Sequence, residues 1–140
     1  MNSISCIPSE KLVQVFSALP DWQSRYRKMI VLGDQLAPFP ASAKNEEYLV
    51  AGCESKVWLL HNMQNGIHHF LIDSDAKIIR GLLAILLIGI QNQSAAFITQ
   101  FDFVQYLQAL GLAQHLSHSR SNGLYHVLIK IKEKITGMPH

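Results

Sequence analysis

The chain has 140 residues, of which 49% are hydrophobic and 16% charged, a composition typical of globular proteins and not of disordered segments. Its formal net charge is +2, and its basic residues are spread among acids, which excludes a basic stripe for nucleic acid. The longest apolar run, residues 81–90, is shorter than the ~20 residues that span a bilayer. We therefore expect one domain over residues 1–140, with neither nucleic acid nor membrane as a partner.

The first part of the chain predicts two helices that pack together. Hydrophobic residues recur at helical spacing over residues 9–18. Asp21 is expected to cap a second helix that Gly33 ends, because aspartate accepts amide hydrogen bonds at an N-cap and glycine often follows a helix. The prolines within residues 35–47 interrupt both periodicities and predict an extended surface connection.

A hairpin is predicted next. Residues 56–63 alternate in the manner of a strand, residues 67–72 form a second strand-like run, and Asn65-Gly66 between them favours the positive dihedral angles of a tight turn. Residues 48–50 are a candidate for a third, short strand.

The remaining elements are predicted to be helical. Asp73, Ser74 and Asp75 offer capping oxygens to a helix through residues 78–87, whose nearly uniform hydrophobicity predicts a central, buried position. Residues 94–99 and 102–110 predict two short helices, and residues 124–135 a last one. The fold class is therefore α+β, with a small antiparallel sheet of two to three strands packed against several helices.

Cys53 is the candidate reactive group. It follows Gly52 in a predicted loop, and a nearby positive charge lowers a thiol pKa from about 8.5 towards neutrality. Arg120, in a polar, glycine-containing turn, is the candidate charge. The residues alone are equally consistent with Cys53 as a small buried hydrophobe and Arg120 as a surface charge. A disulfide with Cys6 is not expected, because the N-terminus lacks the features of a secretory signal and indicates a reducing, cytoplasmic setting.

Other chemistries are open at this point. A stand-alone cysteine hydrolase needs a histidine to activate Cys53, and the spacing selects none of the seven histidines. For a zinc site, the adjacent His68 and His69 would face opposite sides of a strand, while His115 and His118 have no further ligand nearby. The chain has two cysteines, too few for the four ligands of an iron-sulfur cluster. A purely structural interaction module is a further alternative.

Three blocks of sequence are more specific when they are considered together. They are GCESKVW at residues 52–58, DSDAKIIRGLLA at 73–84 and LSHSRSNGL at 116–124. In this order they resemble the SufE/CsdE family of sulfur-acceptor proteins, and the match extends from about residue 19 almost to the C-terminus. The resemblance implies a SufE/NifU-like fold and a role in sulfur mobilisation for iron-sulfur cluster assembly.

The resemblance also implies roles for individual residues. In this family a cysteine desulfurase holds pyridoxal phosphate (PLP) and forms a persulfide, and the cysteine that matches Cys53 accepts the sulfur and passes it to a scaffold or other acceptor. Arg120 would stabilise the thiolate or line an apolar cavity around the cysteine. Gly52 and Glu54 would belong to the mobile loop, and Asp75 to the partner-facing surface.

The implied protein is an accessory that stimulates its desulfurase, not a stand-alone enzyme, and it has no cofactor or metal of its own. Its partner would be a desulfurase of the SufS or CsdA type. Glu54, Lys56 and His118 depart from the family pattern and leave the SufE and CsdE branches open. The sequence also leaves open whether the chain forms a homodimer.

Overall fold

The computed structural model describes residues 7–52 and 55–136, and within these ranges it confirms an α+β fold. No helix in these ranges is both long and apolar enough to cross a membrane. The helices are α1 (Ser9–Ala18), α2 (Trp22–Asp34), α3 (Lys77–Ile90), α4 (Ala95–Gln100), α5 (Phe103–Ala109) and α6 (His118–Thr136). The strands are β1 (Val57–Gln64), β2 (Ile67–Ser74) and β3 (Gln93–Ser94).

The described strands form one antiparallel sheet in the order β1-β2-β3. The predicted hairpin is confirmed: Asn65 and Gly66 join β1 to β2 with φ values of 55° and 76°. The predicted strand at residues 48–50 is reduced to a single bridge between Leu49 and Trp58. The residues before it form a 3₁₀ turn, Glu46–Tyr48, which the Asn45 side chain caps. The third strand is instead Gln93–Ser94, which follows α3.

The two faces of the sheet are covered differently. On one face, Val57, Leu59, Phe70 and Ile72 belong to the main hydrophobic core together with the almost entirely buried α3. On the other face, Trp58 packs with Phe39 and Ala43 of the connection between α2 and β1. That connection was predicted as an extended surface segment. It contains two 3₁₀ turns, and its apolar residues cover the outer face of the sheet.

The turn between β2 and α3 corrects the predicted capping. The N-cap of α3 is Ala76, and no side chain caps it. Ser74 Oγ accepts a hydrogen bond from the Ala76 amide, while Asp75 donates its amide to the Lys56 carbonyl at 3.4 Å. Asp73 forms ion pairs with Lys44 and Arg80, at 2.9 Å each. Its Oδ1 also accepts a hydrogen bond from the Ser74 amide at 2.8 Å, so the carboxylate is directed to Lys44, Arg80 and this turn amide and not to the amides of α3.

Candidate functional site

A cavity of about 420 Å³ lies where the start of α6 meets α3 and the start of β1. Its wall is mainly apolar, and its polar groups are three serine hydroxyls and one guanidinium. The apolar side chains are those of Val57, Ala76, Ile78, Ile79, Leu83, Leu124 and Val127. The polar side chains are those of Ser55, Ser117, Ser119 and Arg120, and Gly123 completes the lining.

Helical spacing positions the wall. Arg120, Leu124 and Val127 recur at intervals of four and three residues along α6, so they share one face of that helix. Ile79 and Leu83 are likewise one turn apart on α3. Ser117 stabilises the first turn of α6, because its Oγ accepts a hydrogen bond from the Arg120 amide at 3.2 Å. The start of α6 thus holds Arg120 at the cavity.

Arg120 is the predicted site residue that the structure places most clearly. Its half-buried side chain lines the cavity, and it forms no ion pair with any carboxylate of residues 7–52 and 55–136. A guanidinium beside an apolar wall favours an anionic group that enters the cavity, because the charge is less screened there than in water.

Gly52 and Ser55 flank the remaining predicted residues. Gly52 has a left-handed φ of +89° and lies against His126 of α6, while Ser55 lines the cavity. The segment they belong to is closed at its base, where the Val50 amide donates to the Val57 carbonyl at 2.8 Å. Cys53 and Glu54, and with them the prediction that the thiol is buried, lie outside the described residues.

Asp75 is exposed and precedes Ala76, which lines the cavity. Its backbone hydrogen bond to Lys56 joins the start of α3 to the end of the cysteine-containing segment, residues 51–56. The structure therefore brings Arg120, Gly52 and the Asp75 backbone to the surroundings of one cavity. It adds His126, which the sequence did not single out, because nothing in the local pattern indicates a contact between α6 and residue 52.

The histidines considered for zinc lie elsewhere in the fold. His68 and His69 point to opposite sides of β2, as predicted, with His68 buried and His69 half-buried. His68 Nδ1 lies 2.7 Å from His61 Nε2, and burial lowers the pKa of both rings. His115 stacks on Trp22 with ring centroids 4.7 Å apart. Across the described ranges, no three or more His, Cys, Asp or Glu residues are grouped so that they could hold a metal ion.

Comparisons with known proteins agree with the sequence blocks. The family model SufE, described as an Fe-S metabolism associated domain, matches residues 10–135. The sulfur acceptor protein CsdE of Escherichia coli (strain K12) is 40% identical over 119 residues, which cover 84% of this chain and 81% of that protein. An uncharacterized SufE-like protein of Rhizobium meliloti (strain 1021) is 35% identical over 132 residues, covering 91% and 94%.

A solved structure provides a comparison of the fold. The solution structure of a hypothetical protein from Thermus thermophilus superimposes with a TM-score of 0.75, covering 92% of this chain and 93% of that one. Only 15% of the aligned residues are identical. At that identity the likeness shows the shared fold alone.

Proposed function

The chain belongs to the SufE family, and we propose that it accepts sulfur from a cysteine desulfurase and delivers it to an iron-sulfur scaffold or another acceptor. The relative that is named a sulfur acceptor, CsdE, supports this role. In this proposal the desulfurase is of the SufS or CsdA type and holds the PLP, and both proteins act in the cytoplasm. This chain supplies a thiol and stimulates its partner by removing the sulfur that the partner has mobilised.

The proposed step is an exchange at sulfur. The Cys53 thiolate attacks the terminal sulfur of a persulfide on the desulfurase cysteine, a new S–S bond forms on Cys53, and the old S–S bond breaks. The desulfurase cysteine leaves as a thiolate, and the proton of the transferred sulfur is exchanged with solvent. No external oxidant or reductant is consumed, because one persulfide is replaced by another. Delivery to the next acceptor repeats the same exchange.

The observation that carries the proposal is the cavity beside the cysteine-containing segment. Gly52 is bonded directly to Cys53, and Ser55 follows Glu54, so covalent geometry confines the thiol to the neighbourhood of these two residues. Ser55 lines the cavity and Arg120 lines it as well. We assign Arg120 to the stabilisation of the Cys53 thiolate, since a guanidinium lowers the pKa of a neighbouring thiol.

The apolar wall meets a second need of a sulfur carrier. A persulfide reacts with soluble thiols, so its lifetime depends on limited access. An apolar cavity restricts charged reductants, while the guanidinium of Arg120 stabilises an anionic sulfur within it. We propose that three residues contact the desulfurase during transfer. They are Gly52 and Glu54, in the segment around Cys53, and Asp75, which is exposed beside the cavity.

Intact mass tests this function. The purified chain is incubated with a cysteine desulfurase and cysteine, and its mass is measured before and after a thiol reductant. We expect a gain of one sulfur atom that the reductant removes, a gain that Cys6→Ser keeps and Cys53→Ser loses. Desulfurase turnover should rise with wild type and not with Cys53→Ser. A persulfide that persists in Cys53→Ser, or equal stimulation by that variant, would contradict the proposal.

A further inference from the structure

β1 is an edge strand, because the strand order of the sheet is β1-β2-β3. Its backbone groups alternate in direction. The Lys56 carbonyl accepts a hydrogen bond from the Asp75 amide on the β2 side, whereas the Val57 carbonyl accepts the Val50 amide on the opposite side. Even-numbered residues of β1 therefore direct their N–H and C=O groups to β2, and odd-numbered residues direct theirs outward.

The outward edge of β1 is covered at its start and open towards its end. Within residues 7–52 and 55–136, the preceding segment pairs with this edge at Val57 and Trp58. Further along, no strand or backbone hydrogen bond of the described ranges covers the edge, so the outward N–H and C=O groups of His61 and Met63 lack a backbone partner there. The Met63 side chain is also 44% exposed.

The opposite edge of the sheet is completed within the chain. Ile67 and His68 of β2 pair with β3. Beside them the Gln91 side chain takes the place of a strand, because its amide accepts a hydrogen bond from the Phe70 N–H at 3.0 Å and donates one to the Phe70 carbonyl at 3.1 Å. The fold thus satisfies the backbone of one edge and leaves the other edge open.

β1 also lacks the features that prevent an edge strand from pairing with another chain. Residues 57–64 contain no proline and no Lys, Arg, Asp or Glu. Each of them pairs one for one with β2, so no bulge twists the edge away. An open, regular and uncharged edge is a template for a further strand.

A second copy of the chain matches this edge in length, hydrogen bonding and charge. The open part is short, because it lies between the bridge at Trp58 and the turn at Asn65, where φ is 55°. Two copies related by a two-fold axis at Asn62 place the N–H and C=O groups of His61 opposite those of Met63 of the second copy. No like charges oppose each other in this register.

We propose that the outward edge of β1 is a homodimer interface, in which two copies pair antiparallel across Asn62 and form one continuous sheet of six strands. The proposal does not rest on the proposed function. Val57 lines the cavity at the other end of β1, and residue 62 lies about 17 Å further along the strand. The dimer therefore leaves the cavity open.

Disulfide trapping tests the register in a chain that carries Cys6→Ser and Cys53→Ser. Asn62→Cys places two thiols at a non-hydrogen-bonded pair, where the Cα atoms lie about 4.5 Å apart, within the range of a disulfide. Gln64→Cys is the matched control, because residue 64 is exposed on the same face of β1, but its two copies would lie about 13 Å apart. With a mild oxidant, Asn62→Cys should form a covalent dimer about tenfold faster or more.

Sedimentation equilibrium of the wild-type chain under reducing conditions tests the dimer without a cross-link. The average mass should rise with concentration from that of the monomer towards twice that value. Met63→Pro should stay at the monomer mass, because proline removes an outward N–H and leaves the hydrogen bonds between β1 and β2 intact. Met63→Lys keeps the N–H, adds a charge to the edge and should weaken the dimer about tenfold, so it provides the test if the proline variant does not fold.

Three results would overturn the proposal: equal trapping rates at residues 62 and 64, a wild-type chain that stays at the monomer mass up to about 1 mM, or an unchanged dimer in the folded Met63 variants. An edge that binds a segment of another protein instead would leave the purified chain monomeric and would give the second of these results. Sulfur acceptance is measured separately as the persulfide on Cys53, so failure of the dimer and failure of the proposed function are distinguishable.

Discussion

Gly33 and Gly81 meet where α2 crosses α3, and a Cβ on Gly33 would lie 2.8 Å from the backbone nitrogen of Gly81. A Cβ on Gly81 would in turn overlap the Met29 carbonyl oxygen. The two helix backbones are thus in direct contact. This crossing matters for the site, because α3 also provides Ile79 and Leu83 to the cavity wall.

Gly81→Ala should therefore destabilise the protein. Its methyl group would collide with backbone, which cannot rotate away as a side chain can, so we expect a loss of about 1–3 kcal/mol in the free energy of unfolding. Urea denaturation measures the change. Gly123→Ala is the matched control, because a Cβ there meets nothing within 4 Å and alanine favours helix, with an expected gain of about 0.5–1 kcal/mol. Equal stabilities for the two variants would contradict the described crossing.

Asp73→Asn should lower the free energy of unfolding by more than the loss of an exposed ion pair does. The Asp73 carboxylate is 14% exposed and pairs with both Lys44 and Arg80 at 2.9 Å. Removing its charge should reduce the free energy of unfolding by about 1–2 kcal/mol. Glu133→Gln provides the comparison, because Glu133 is 65% exposed and lies 3.9 Å from Lys130. That change should amount to about 0–0.5 kcal/mol, and the ranking of the two variants is the result to check.

Much of the fold follows from local sequence, and the corrections come from contacts that local sequence does not contain. The hairpin is predictable because Asn65-Gly66 specifies a turn between two alternating runs. Gly33 was expected to end α2, but the helix continues to Asp34, and the glycine serves the crossing with α3. Its reason for being glycine lies 48 residues further along the chain, at Gly81.

The candidate site, like the fold, could be predicted from the sequence only in part. Arg120 could be selected from the motif, and the structure places it in the cavity wall. The wall itself, and the contact of His126 with Gly52, depend on how α6 packs against the rest of the fold. No spacing in the sequence predicts that packing. Asp73 was assigned to helix capping for the same reason, since its partners Lys44 and Arg80 were not recognisable from the sequence.

Arg120→Gln should slow sulfur acceptance without unfolding the protein. In the proposed function, the Arg120 guanidinium lowers the pKa of the Cys53 thiol. Loss of the guanidinium should raise that pKa, so persulfide formation on Cys53 should slow about tenfold at neutral pH. Stability should change by less than about 0.5 kcal/mol. Quenched time courses by intact mass give the rate. Arg27→Gln, on the exposed side of α2, should match wild type, and an unchanged rate for Arg120→Gln would remove Arg120 from the chemistry.

The His61–His68 pair predicts that acid destabilises the fold. Burial lowers the pKa of each ring below the usual 6.5, so the unfolded chain binds more protons as the pH falls through that value. The hydrogen bond between the rings also requires one unprotonated nitrogen. The contribution of the pair is therefore complete above about pH 6.5 and is lost progressively below it.

Urea unfolding at pH 7.5 and 5.5 measures this loss. His68→Phe should reduce the difference in unfolding free energy between the two pH values. His118→Gln, a substitution at the exposed start of α6, should keep the wild-type difference. If His68→Phe also keeps the full difference, the pair is not the source of the pH dependence.

The most direct test of the sulfur-acceptor proposal is the location of the transferred sulfur. After incubation with a desulfurase and cysteine, persulfides are capped by alkylation and the chain is digested with trypsin, which separates Cys53 in residues 45–56 from Cys6 in residues 1–11. We expect the extra sulfur on the 45–56 peptide, and we expect it to disappear when the sample is reduced before capping. Sulfur on the 1–11 peptide, or on neither peptide while the desulfurase is turning over, would contradict it.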